Sequence, residues 1–257
     1  MLDAGHPVRL VARSAQNLDT RAQIVEGDMS TARDIVAGAS VVVSCAHARH
    51  TSAILGAIGE ASPSIVLMGS AWRYSRVFEP RGKEVTDAEV AFLNSGRNGV
   101  MLHPTMIYGG RQENNISLLL GMIRRWPVLP MPGGGVNLVQ PIHIEDVATS
   151  VVAAATRTWP GPHVFPISGP APMRWRDMAS ICARAMGRRR YILPVPLGLS
   201  IWLLDAAKAA GLPLPVDRNV LLRFREDVNF TTNAMQSHLA VTPRAFERGV
   251  LDLVAQH

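Results

Sequence analysis

Lysine is nearly absent: only Lys83 and Lys208 stand among 26 basic residues, so arginine carries the net charge of +6. A positive balance suits anionic partners, such as a phosphate-bearing cofactor, a nucleotide-sugar or a membrane surface. No Lys/Arg block is interleaved with aromatics, and the chain has no nucleic-acid-binding pattern. Cysteine is scarce as well. Cys45 and Cys182 are far apart and form neither a CxxC nor a zinc spacing, so no metal site is expected and a reducing, cytoplasmic compartment is. No run reaches the ~18 uninterrupted apolar residues of a membrane span. The most apolar stretch, 192–214, is broken by Pro194, Pro196, Asp205, Lys208 and Pro213. It reads as a buried or interfacial helix, which leaves peripheral membrane contact as the form of membrane association open to the chain. The first nine residues lack an apolar signal-peptide core. Repeats and low-complexity linkers are also lacking. At 47% hydrophobic and 18% charged residues, the 257-residue chain is too apolar for disorder and builds one large domain or two small ones.

What is present begins with strand–helix alternation. Val8–Arg13, Gln23–Gly27, Ser40–Ser44 and Ser64–Met68 read as strands, and Thr51–Ala61 reads as a helix. Thr86-Asp87-Ala88-Glu89 has the spacing of a capping box that opens a helix ended by Gly96. Near-continuous apolar strands alternating with helices predict a parallel, doubly wound α/β sheet. After about residue 110 the prolines become frequent and helices dominate: Asp177–Gly187, Leu197–Ala210, Asp217–Arg225 and Pro243–Gln256. In the last of these, Pro243 takes the first helical position behind Thr242.

The stretch from Val100 to Ala155 is the most informative. A strand enters His103-Pro104-Thr105. A helix with Ile116, Leu119, Leu120 and Ile123 on one face follows. A glycine turn (Gly133–Gly135), a short strand and a helix at Asp146 complete it. The segments HPTMIYG, ENN, PGGG and QPIHIEDVA resemble the extended and atypical short-chain dehydrogenases/reductases, the NAD-dependent epimerase/dehydratase family. The resemblance runs over essentially the whole chain.

That resemblance implies a Rossmann-like NAD(P)-binding domain over residues 1–110. A smaller, mainly helical substrate region over 111–257 would partly interleave with the sheet. It implies an activity on a nucleotide-sugar or similar carbonyl or hydroxyl substrate, with a homodimer compatible with the family. In the family, a first strand and a GxxGxxG turn precede the segment that begins here at Leu2. The sequence shows neither, and a truncated or misplaced start is the expectation. Arg13-Ser14 stands where a basic residue and a hydroxyl suit the 2′-phosphate of NADP(H), in preference to NAD(H). Asp28 and Met29 match an element that faces adenine. Cys45, Ala46 and His47 match the small residues beside the ribose, with Cys45 packed and not nucleophilic. His103, Pro104 and Thr105 match the nicotinamide wall. Asn114, Asn115, Gln140 and His143 match substrate contacts, and Asp146 also reads as a helix cap.

The family's Tyr-x-x-x-Lys pair, in which lysine lowers the tyrosine pKa, has no counterpart. Ser70 supplies the family's serine, and Tyr74 and Lys83 are the remaining catalytic candidates. Anchoring on Lys83 puts Glu79 at the tyrosine position. Anchoring on Glu89 and Gly96 puts Arg81 and Val85 at the two positions. A non-catalytic, dinucleotide-binding accessory subunit like those of respiratory NADH dehydrogenase is therefore the rival expectation, beside an inactive truncated chain.

Overall fold

The computed structural model describes residues 1–12, 14, 18–27, 36–77, 80–110, 115–212 and 218–255. In chain order the strands are β1 (Arg9–Ala12), β2 (Gln23–Glu26), β3 (Val41–Ser44), β4 (Ser64–Met68), β5 (Gly99–Pro104), β6 (Ile107–Tyr108), β7 (Val128–Pro132), β8 (Leu138–Val139), β9 (Ile142–His143), β10 (Pro162–Ile167), β11 (Met173–Arg174) and β12 (Tyr191–Val195). The α-helices are α1 (Thr51–Ile58), α2 (Pro80–Asn94), α3 (Asn115–Arg125), α4 (Ile144–Ala155), α5 (Trp175–Ala185), α6 (Leu197–Ala209), α7 (Arg218–Leu222), α8 (Asn233–Leu239) and α9 (Phe246–Ala255). The chain divides into two compact units. The first comprises Met1–Ser70, Lys83–His103 and Val151–Phe165; the second comprises Ala71–Gly82, Pro104–Ser150 and Pro166–His257.

The first unit is a Rossmann-like α/β fold. β3, β4 and β5 run parallel, and β10 lies beside β5 in the order β10-β5-β4-β3. Ile65, Val66 and Leu67 of β4 and Val100, Met101 and Leu102 of β5 are buried, as expected for strands covered on both faces. β1 and β2 form a separate parallel pair. Among the described residues β1 pairs only with β2 and β3 only with β4, and the exposed Val11 and Val43 lie on these two strands. Helix α2 starts earlier than the capping-box spacing predicts. Pro80 occupies its first turn, where a missing N–H costs nothing, and Thr86 falls in the helix interior. Val85, Ala88 and Phe92 form its buried stripe against Ile54, Ile58 and Leu67.

The second unit packs helices around short strand pairs. Ile116, Leu120 and Ile123 of α3 meet Met178, Ile181 and Cys182 of α5 and Phe246, Val250 and Leu253 of α9 in one core. Tyr108 stands inside it, with its ring edge-on to those of Phe246 and His143. β6 pairs with β9 and β7 with β12 in parallel, and β8 pairs antiparallel with β11. Helix α9 begins at Phe246, three residues beyond the predicted Pro243. The Arg244 N–H, ahead of the helix, donates to Asp146 Oδ2 at 3.0 Å.

Gly249 makes room for the tyrosine. A Cβ there would lie 2.2 Å from the Tyr108 hydroxyl. Gly249→Ala is expected to lower unfolding stability by about 1–3 kcal/mol through overpacking, read by urea denaturation. Adding Tyr108→Phe should recover part of that loss. No recovery would show that the hydroxyl is not the obstacle.

Candidate functional site

In the first unit, Gly69 and Ser70 follow the carboxyl end of β4, next to His103 near the end of β5. The Ser70 N–H donates to His103 Nδ1 at 3.0 Å. An acceptor Nδ1 places the ring proton on Nε2, which lies 3.0 Å from Glu89 Oε2. His103 is 0% exposed and Glu89 12%, so the imidazole is enclosed between a backbone amide and a carboxylate. Only glycine fits at position 69, because a Cβ would come within 2.2 Å of Nδ1. His103 thus positions Ser70, while its own ring is closed off from solvent. Glu89 was the partner that the sequence did not single out. The readable signal was a carboxylate one residue after Ala88, within the stripe formed by Val85, Ala88 and Phe92.

The other first-unit candidates spread along the surface. Cys45, Ala46 and His47 are exposed after β3. Although the residue as a whole is exposed, the atoms crowded around its thiol desolvate it and push Cys45 above its ordinary range, which keeps it protonated and poorly nucleophilic. His47 Nδ1 lies 3.3 Å from Glu84 Oε2. Lys83 is exposed on α2, and its Nζ donates to Asp87 Oδ2 at 2.6 Å, one turn along the helix. Ser14 is exposed. Arg13, Asp28, Met29 and Asn114 lie outside the described residues, and Asn115 opens α3.

In the second unit, the segment 223–230 works as a strap. Arg223 stacks its guanidinium 3.8 Å over the Trp72 ring. Glu226 accepts from the Ser75 hydroxyl (2.6 Å) and from the N–H groups of Arg76 (2.5 Å) and Val77 (3.0 Å). Phe230 packs against Tyr74 with ring centroids 5.1 Å apart. On the other side, Asp227 accepts from the Leu138 N–H at 2.8 Å. Gln140 donates from Nε2 to the carbonyls of Gly169 (2.8 Å) and Phe230 (3.0 Å), and its Oε1 accepts from the Phe230 N–H (2.8 Å). The fully buried Gln140 amide is therefore committed to the protein's own backbone. Thr105 donates its hydroxyl to the Gln140 carbonyl and its N–H to the Ile167 carbonyl, next to Pro104 at the end of β5.

A second cluster surrounds His143. Its Nδ1 accepts from the Glu145 N–H at 3.2 Å, which caps α4. Asp146, expected as a helix cap, instead holds Arg244 through its N–H (3.0 Å) and Nε (3.2 Å). Gly109, His143, Glu145, Arg244 and Asp252 line a cavity of about 410 Å³. Burial, then the neighbouring Arg244, hold His143 below the usual histidine range. Burial, then Asp146, push the Tyr108 phenol well above its ordinary value, so it stays protonated. Its hydroxyl finds no hydrogen-bond partner among the described residues.

No family model and no curated protein matches this sequence. Solved structures do. The chain is similar to the crystal structure of gox2253, with a TM-score of 0.76, 16% identity and coverage of 99% of this chain and 91% of that one. MoeE5, solved in complex with UDP-glucuronic acid and NAD, gives 0.71 at 18% identity over 99% and 93%. UDP-glucose 4-epimerase from Thermotoga maritima, solved with UDP-glucose, gives 0.73 at 14% identity over 99% and 91%. At such identities the likeness establishes the fold, that of the Rossmann-like epimerase/dehydratase enzymes.

Two outcomes follow from this geometry. Glu226→Ala removes three acceptor contacts from residues 75–77. It should cost about 1–3 kcal/mol and speed tryptic cleavage at Arg73 and Arg76; unchanged cleavage would show that the strap does not hold this loop. The His143 contribution has a definite sign. A histidine depressed in the folded state binds fewer protons there than when unfolded, so its stability is present above pH 6.5 and is lost as pH falls. His143→Gln should flatten the fall of Tm between about pH 7 and 5. A slope identical to that of the parent chain would exclude this histidine as its source.

Proposed function

We propose that this chain binds a nicotinamide dinucleotide and acts with it on a nucleotide-sugar, or on a similar substrate bearing a hydroxyl or carbonyl, as an epimerase, dehydratase or reductase. The observation that carries the reading is the Gly69–Ser70–His103–Glu89 group. It holds the Ser70 backbone just beyond the carboxyl end of β4, beside the parallel β5, where open α/β sheets bind ligands. The exposed Cys45, Ala46 and His47 leave the end of β3 open to a ribose, so the described residues fit such a group. Arg13 and Ser14 are assigned to a 2′-phosphate, which favours NADP(H) over NAD(H). Asp28 and Met29 are assigned to the adenine.

When bound, the dinucleotide supplies hydride transfer. The chain's own residues orient the substrate. Ser70 hydrogen-bonds the substrate oxygen, and His103 and Glu89 fix the Ser70 backbone so that little ordering remains at the moment of reaction. Pro104 and Thr105 line the nicotinamide side. Asn114, Asn115 and His143 are assigned to the substrate.

A specific observation favours a second reading, a non-catalytic dinucleotide-binding subunit or sensor. Lys83 is tied to Asp87 on the exposed side of α2, and the Tyr108 phenol stays protonated. Neither group forms the acid/base pair that lowers a tyrosine pKa.

Calorimetric titration of NADPH and then NADH tests both. NADPH is expected to bind more tightly, and Ser70→Ala to lower turnover of a nucleotide-sugar by about a hundredfold. Binding without turnover of any nucleotide-sugar would favour the second reading. No binding of either dinucleotide by the folded chain would overturn both.

A further inference from the structure

Arg124 and Arg125 close α3, and Arg188, Arg189 and Arg190 lead into β12. These segments lie far apart in sequence, yet the fold brings them together. β7 and β12 are parallel and in register, with Val128 beside Tyr191 and Leu129 beside Ile192. Both arginine groups therefore sit at the same end of one two-stranded ribbon. Arg190 Nε donates to the Ile123 carbonyl at 2.8 Å and ties the two approaches. From Leu118 to Leu138, and again from Met186 to Leu204, there is no aspartate or glutamate.

The ribbon's two faces have the wrong polarity for a protein in water alone. Leu129 and Met131 are buried in the second unit's core, and Ile192 packs against it. Left to water, the outward face should then be polar. Instead it carries Val128 (41% exposed), Tyr191 (80%) and Leu193 (53%), with Trp126 (50%) beside the arginines. The helix that continues the chain, α6, also exposes Leu199, Trp202 and Leu203.

We propose that this outward face of β7–β12 docks on a membrane surface bearing anionic phospholipid. Tryptophan and tyrosine favour the headgroup level, aliphatic side chains enter the acyl boundary, and guanidinium groups bind lipid phosphates. Charge complementarity selects this occupant. A second copy packed on the same face with its ribbon parallel would bring its arginines close to these, and one packed antiparallel would offer them no carboxylate from its own ribbon. A nucleic acid backbone would satisfy the arginines and leave Val128 and Leu193 without a counterpart. The inference is independent of any catalytic role. It assigns attachment at the interface, since no helix among the described residues is long and apolar enough to cross a membrane.

The test is flotation of the full chain with vesicles of phosphatidylcholine alone or mixed with phosphatidylglycerol. The chain should float with the mixed vesicles only and be released by high salt. Replacing Arg124, Arg125, Arg188 and Arg189 by Gln should weaken binding by about tenfold or more. The pair Trp126→Ser and Tyr191→Ser should also weaken it, with the circular dichroism spectrum and Tm preserved. Equal flotation with both vesicle types, or none, would overturn the proposal. So would full binding by the aromatic variant, which would indicate bare charge adsorption. A wild-type dimer that this variant splits, without vesicle binding, would instead assign the face to self-association.

Discussion

The second unit depends on one buried amide. Gln140 is fully enclosed, and both ends of its side chain close on the backbone of Phe230, with a further bond to Gly169. A buried primary amide that lost these partners would carry the whole desolvation cost of its donors and acceptor. The bonds therefore fix where residues 223–230 run. Once that path is set, Glu226 reaches the loop at 75–77, Asp227 reaches Leu138, and Phe230 reaches Tyr74. One satisfied side chain thus determines the course of a strap that itself has little regular secondary structure.

The first unit uses the same device in a smaller space. His103 is buried, accepts from a backbone amide and faces a carboxylate. Each contact restricts the turn after β4, and Gly69 is the adjustment that lets the ring approach. The His103 side chain organises the backbone beside the candidate serine. In both units, buried polar groups orient exposed ones.

Much of the fold was legible in the sequence. Unbroken apolar runs at 65–68 and 100–102 signal strands covered on both faces, and Ile116, Leu120 and Ile123 signal the inward side of α3. The segments HPTMIYG and QPIHIEDVA pointed to the epimerase/dehydratase architecture that the structural likenesses support at the level of fold. Helix starts were less legible. Thr86 carried a strong local signal, but an earlier proline opened α2; Pro243 carried another, but the helix begins at Phe246. Local spacing records what a segment can do alone, and tertiary bonds choose among those options.

The sequence by itself determined the strand and helix periodicities, the arginine-rich charge, and the lack of a Tyr-x-x-x-Lys pair. These properties depend on residue identity and on neighbours a few positions away. Only the tertiary structure decided that His103 meets Glu89, that Glu226 clamps a loop some 150 residues earlier, and that two arginine groups share one end of a ribbon with an apolar outer face. Such pairings form between distant segments, whose meeting is set by the path of the chain and the packing of its cores, and no local pattern encodes that path.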